Sequence, residues 1–153
     1  MSRWKTGEAD IERFLQNGEL QQLVGEAANG KPMLAKAAQK LVTARTALGS
    51  GDFDSALTLA YDASRIATSG LLMQQGLRPT TDGGHVVVVQ AMRAQFGNGF
   101  RQLDPMRRRR HELEYFKRAG DSATEVEATD AVLATESIIE AAEKLIDSLG
   151  LFG

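Results

Sequence analysis

The sequence predicts an all-α fold, an up-and-down helical bundle of about five helices joined by short connections. Three observations carry that expectation. Apolar residues recur at spacings of three and four along nearly the whole chain. Pro32, Pro79 and Pro105 are the only prolines. Between them alanine, leucine, glutamine and glutamate abound, and all four favour helices. The expected organisation is a short N-terminal helical segment over residues 1–29, followed by one helical bundle over residues 30–150.

The first amphipathic piece covers about residues 11–24 and breaks near Asn17-Gly18. Asn29-Gly30 stops it, and Pro32 suits the first turn of the next helix. That helix carries Leu34, Ala37, Leu41, Ala44 and Leu48 on one stripe, and Gly49-Ser50-Gly51 ends it. Asp52-Phe53-Asp54 supplies an N-cap and acids that suit the helix dipole. The helix it opens presents Ala56, Ala60, Ala63, Ala67 and Leu71, widened by Leu59 and Ile66. Residues this small let a neighbouring helix approach closely. Gly76 and Pro79 end the stretch, and residues 80–84 (Thr-Thr-Asp-Gly-Gly) form a loop.

Val86, Val87, Val88 and Val89 have the composition of a strand. No partner strand is evident, and Gln90-Ala91-Met92-Arg93-Ala94 continues in helical style, so the run is read as a helix whose valines enter the core. A loop around Gly97-Asn98-Gly99 precedes a helix over roughly residues 100–118, closed by Gly120. Ser122 and Glu125 fit a capping box for the final helix. That helix is expected to reach about residue 149 on Ala128, Ala131, Thr135, Ile138, Ala142, Leu145 and Leu149.

Composition narrows the chemistry. With 42% hydrophobic and 25% charged residues, the 153-residue chain can bury a core as a soluble domain. The absence of cysteine excludes disulfides, thiolate metal sites and a cysteine nucleophile. Two histidines cannot build a three-histidine zinc site. The opening Met1-Ser2-Arg3-Trp4-Lys5 leads into acids rather than an apolar run, and no stretch approaches the roughly 20 apolar residues of a membrane span. A cytoplasmic protein without a membrane association is expected, with no metal and no cofactor.

Charge is unevenly spread. Seven of the eighteen Lys and Arg residues fall between Arg101 and Arg118, giving that window +4 while the rest of the chain carries −6. At its centre stands Arg107-Arg108-Arg109-Arg110-His111, with Tyr115 four residues further on. Such a segment presents itself to an anion, phosphate first. At about 100° per residue, Leu103, Met106, Leu113 and Lys117 share a stripe with Arg110 in its middle. Arg108 and Arg109 point to either side as solvated charges. Arg107, His111 and Tyr115 form an adjoining row. A guanidinium on an apolar stripe needs a partner. Two partners suit Arg110: a carboxylate of a neighbouring helix, such as Asp62, or a phosphate gripped by its planar fork.

This segment resembles the signature of the HEPN domain, a small helical bundle of prokaryotic toxin–antitoxin and defence systems. That signature is an arginine, a polar neighbour, and a histidine after four to six intervening residues. Arg110-His111-Glu112-Leu113-Glu114-Tyr115 has the arginine, the polar neighbour and the spacing, with Tyr115 in the histidine's place. Residues 60–65 (Ala-Tyr-Asp-Ala-Ser-Arg), Leu71-Leu72, Gly76-Leu77-Arg78 and Gly83-Gly84-His85 are also similar to HEPN chains, and the resemblance covers roughly residues 34–149.

The resemblance implies a metal-independent endoribonuclease in which the RNA 2′-hydroxyl attacks the adjacent phosphate. Arg110 would then stabilise the phosphorane. His111 would orient RNA or transfer protons, and Tyr115 would act as an acid or hold a phosphate. A phenol is a poorer base than an imidazole at neutral pH. Arg107, Arg108 and Arg109 would supply phosphate contacts. The resemblance further implies a homodimer with the motifs facing across a cleft. It leaves open a degenerate relative that binds RNA without cutting, and a non-enzymatic partner of a nucleotidyltransferase that adenylylates Tyr115.

Other candidates read as structure. His85 follows two glycines and could start a helix or point into a groove, and reads first as a solvated or capping histidine; Tyr61 with Arg65 reads as a packing and ion-pair feature that borders the groove of Arg110. Trp4 suits packing on the bundle or a partner contact. Gly83-Gly84 lacks the lysine and preceding strand of a phosphate loop. Glu112 and Glu114 sit on different helix faces. Glu136, Glu140 and Glu143 form a solvated row without the histidines of a di-iron bundle.

Overall fold

The computed structural model describes residues 2–81, 84–115 and 121–153, with the backbone alone at Glu26. Among them are six α-helices, α1 (Glu8–Gln16), α2 (Lys31–Gly49), α3 (Phe53–Gln74), α4 (His85–Phe96), α5 (Leu103–Glu114) and α6 (Glu125–Leu145), and two short strands, β1 (Leu20–Gln22) and β2 (Leu77–Pro79). The all-α expectation holds, and Ile11 and Phe14 of α1 are buried in the same core as the other helices. Lys117, Arg118 and Gly120, expected at the end of the arginine helix, lie outside the described residues, as do Asp82 and Gly83 of the expected loop.

Helix α3 is the axis of the bundle. It touches α2, α4, α5 and α6, so it is buried on several sides, from Ala56 and Ala60 through Ala63 and Ala67 to Leu71 and Leu72. Its alanines allow the close approach their size suggested. The tightest crossing is between Gly30 and Gly70: a Cβ on Gly30 would collide with the Gly70 carbonyl. Asp52 caps α3 by accepting from Ser55 N at 3.2 Å. Inside the bundle the Ser64 hydroxyl donates to Thr135 Oγ1 at 2.8 Å, and Thr135 donates to the Ala60 carbonyl at 2.9 Å, which joins α6 to α3 without an orphaned polar group.

The valine run is helical. It opens α4 with Val87, Val88 and Val89 buried and Val86 exposed. Two corrections concern the ends of elements. The α6 capping box is formed by Thr124 and Glu127, two residues later than expected. Helix α6 stops at Leu145, and a 3-10 turn over Ile146–Ser148 completes the stretch. A third correction is the pair of strands. Residues after Asn17-Gly18 are not helical. Instead β1 runs antiparallel to β2, with Leu20 opposite Pro79 and Gln22 opposite Leu77. Leu20 and Leu77 are both buried, and this hydrophobic anchoring fixes the register. Trp4 packs on Phe96 and donates its indole N–H to the Gln95 carbonyl at 2.9 Å.

Candidate functional site

Helix α5 is fastened by Leu103 and Met106, both buried, with Met106 reaching Thr135 of α6. That anchoring fixes where the next four side chains point. Asp104, one turn earlier, takes Arg107 at 2.9 Å and Arg108 at 2.8 Å. Arg108 extends into solvent, as expected. Arg109 does not. Its guanidinium grips Glu127 of α6 at 2.7 Å, reaches Glu112 at 3.0 Å and donates to the Ser122 carbonyl at 3.1 Å. The expectation of a solvated Arg109 is therefore corrected: the N-terminus of α6 comes back over that side of α5 and supplies the Glu127 carboxylate, beside Glu112 of α5 itself. Each partner sharpens the other's charge. Hydrogen bonding to Arg109 holds the Glu127 carboxyl below the usual range, and the bond to Glu127 raises Arg109.

Arg110 lies on the side of α3. Its Nη1 bonds Glu114 at 3.0 Å on the same helix, and its Nη2 stands 3.9 Å from Asp62, beyond hydrogen-bond reach. Asp62 is thus the neighbouring carboxylate, as anticipated, but it holds Arg110 loosely. The Arg110 Nε atom is buried with no partner among the described residues.

Arg110, Arg107 and His111 all line one open cleft of about 550 Å³. Its other walls are the segments flanking the paired strands, through Asn17, Gly18, Glu19, Thr80 and Thr81, then Gly84 and His85 at the start of α4, and Tyr61 from the middle of α3. The β1–β2 pairing holds that wall in place, aided by a Thr80 hydroxyl donating to the Gly18 carbonyl. Glu19 is the one acid in the lining among the described residues. Two guanidiniums in a concave wall, against one acid in the lining among the described residues, suit the cleft to an anion. Tyr115 stands apart. It follows the last turn of α5, 63% exposed, with its ring 4.8 Å from that of His111, and it does not line the cleft.

Sequence reasoning set aside a pair that the fold brings together. Tyr61 Oη and His85 Nδ1 are 2.5 Å apart. Tyr61 is 1% exposed, and burial pushes its hydroxyl up to about 12. Burial, with Arg65, Arg110 and Arg107 nearby, pushes the His85 imidazole below its ordinary value, against a smaller opposing effect of Asp62. His85 is therefore neither freely solvated nor a cap, since its side chain faces the cleft. The signal in the sequence was the placing of Tyr61 and Arg65 beside the groove of Arg110. The glycines before His85 allowed it to point into a groove, but nothing local named Tyr61 as its partner.

Among the described residues no cluster of three metal-ligating side chains comes together, and no helix is long and apolar enough to cross a membrane. No curated protein and no solved structure matches the chain. A family description does: the HEPN domain matches residues 31–145, from the first turn of α2 to the end of α6. With that span covering the whole bundle and the arginine helix within it, the chain belongs to the HEPN domain family.

Proposed function

We propose that this chain is an RNA-directed HEPN protein that grips a backbone phosphate in the cleft and cleaves there as a metal-independent endoribonuclease. The observation that carries the reading is the convergence of Arg107, Arg110 and His111 on one positive cleft. In the proposed reaction the RNA 2′-oxygen bonds to phosphorus and the bond from phosphorus to the 5′-oxygen breaks, leaving a 2′,3′-cyclic end. Arg110 holds the non-bridging oxygens as their charge grows. His111 carries the proton between the two oxygens. Arg107 and the exposed Arg108 take flanking phosphates, whereas Arg109 serves the bundle. A homodimer would set two such clefts side by side, and a cytoplasmic toxin or defence protein would use them to arrest growth.

Incubating the pure protein with total RNA in EDTA tests this. Fragments with cyclic phosphate ends, absent with Arg110→Ala, are expected. Intact RNA that the wild type also fails to retain would sink the reading.

A second reading is supported by Tyr115, whose exposed phenol stands at the end of α5 beside His111, and by the Glu114 contact of Arg110. Here the chain is the non-cutting partner of a nucleotidyltransferase, which moves an adenylyl group from ATP to Tyr115 Oη and releases pyrophosphate. Intact-mass measurement after coexpression with such an enzyme decides it: an added adenylyl mass, lost in Tyr115→Phe, supports it, and an unshifted mass counts against it.

A further inference from the structure

We propose that His85 is a phosphate-binding residue of the cleft, presented as a neutral Nε2–H donor because the Tyr61 hydroxyl occupies its Nδ1. The proposal rests on the cleft being the RNA site.

The Tyr61 hydroxyl proton sets the tautomer of His85. Tyr61 is 1% exposed, so water scarcely reaches it. Its one hydrogen-bond partner among the described residues is His85 Nδ1, at 2.5 Å. A buried hydroxyl proton needs an acceptor. Burial keeps the phenol protonated far beyond neutral pH, up to about 12. The O–H therefore donates and Nδ1 accepts, which places the imidazole proton on Nε2. Near-parallel rings, 22° apart with centroids 5.6 Å from each other, hold the two side chains in this pairing.

The surroundings keep the ring uncharged. Tyr61, Asp62 and Arg65 bear on it from α3, and Arg107 and Arg110 from α5. His111 and Glu19 share the cleft wall with it. The guanidiniums outnumber Asp62, and together with burial they disfavour the imidazolium. Arg107 and Arg110, bonded to Asp104 and Glu114, are the charged donors in the cleft wall. Arg110 Nε, in the cleft wall, is buried without a partner among the described residues. A phosphate there meets charged donors from α5 and an uncharged donor from α4. That division of labour has a measurable consequence. A charged contact releases counterions and steepens the salt dependence of binding; a neutral donor strengthens binding without changing the slope.

The experiment has two readouts. Long-range proton–nitrogen spectra of the histidine side chains report the tautomer of His85 directly: the Nε2–H form is expected at neutral pH, and Tyr61→Phe should disperse it. A labelled oligouridylate then measures affinity across a salt series. His85→Ala should weaken binding about tenfold with an unchanged salt slope. His85→Gln, whose amide N–H can stand near the Nε2 position, should restore most of the loss. An Nδ1–H or doubly protonated ring at neutral pH overturns the proposal. So does wild-type affinity in His85→Ala while Arg110→Ala has lost binding. A wild type that binds no RNA at any salt overturns the RNA site itself, and with it the ligand proposed here. The tautomer spectrum, read without RNA, separates that failure from a wrong assignment of the Tyr61–His85 pair.

Discussion

Arg109 and Arg110 are consecutive residues on one helix and meet opposite fates. Arg109 turns toward α6 and is gripped by Glu127, Glu112 and the Ser122 carbonyl. Arg110 turns toward α3, bonds Glu114 of its own helix at 3.0 Å, stands 3.9 Å from Asp62, and lines the cleft. The two are about 100° apart around the helix, and that rotation decides which neighbouring element each guanidinium meets. A run of four arginines is therefore not one basic patch. One side of α5 closes the bundle, and the other lines the cleft.

The comparison breaks most visibly under substitution. Arg110→Ala should cost about a hundredfold or more in RNA cleavage while leaving the melting curve nearly unchanged. Melting that drops with RNA activity intact would mean that Arg110 serves Asp62 instead. Arg109→Ala should do the reverse, lowering stability in urea by about 1–2 kcal/mol with RNA affinity intact. Arg107→Ala should weaken RNA binding and flatten its salt slope by about 0.7, the share of one phosphate on a single strand. An unchanged slope would remove Arg107 from the ligand side.

The smallest effect is on pH. The folded Glu127 carboxyl titrates below its ordinary value of 4.5, so the unfolded chain binds its proton first. The ion pair's contribution is present above that value and is lost as pH falls through the folded one. Acid unfolding curves should show this limb in the wild type and lose it in Arg109→Ala. His85, also lowered, acts with the same sign: stability declines as pH falls below its unfolded value of 6.5.

How much of this was legible beforehand follows from the range of each interaction. The stops of α2 and the cap of α3 are written in Gly49-Ser50-Gly51 and Asp52, where local backbone chemistry decides. The helical valine run was legible because the residues after it keep a helical pattern. The β1–β2 pair was not. Each strand has three residues, too few to show a period, and the partners lie more than fifty positions apart. The capping box slipped because Ser122 and Thr124 are both good caps, and the tertiary tie of Ala123 N to Asp54 at 2.6 Å bears on where the helix begins. At the site, the helical wheel gave Arg110 its direction and named Asp62. It could not show that α6 would return over Arg109, or that Tyr61 and His85, on separate helices, would meet.

The central claim is that RNA lies in the cleft between the β1–β2 pair, the start of α4 and α5. Photocrosslinking of 4-thiouridine RNA to the protein, followed by mass-spectrometric mapping, tests it most directly. Crosslinks on the peptides that carry His85 and His111 are expected, and they should fade as salt rises. Crosslinks confined to α2 or to the outer face of α6 would contradict it.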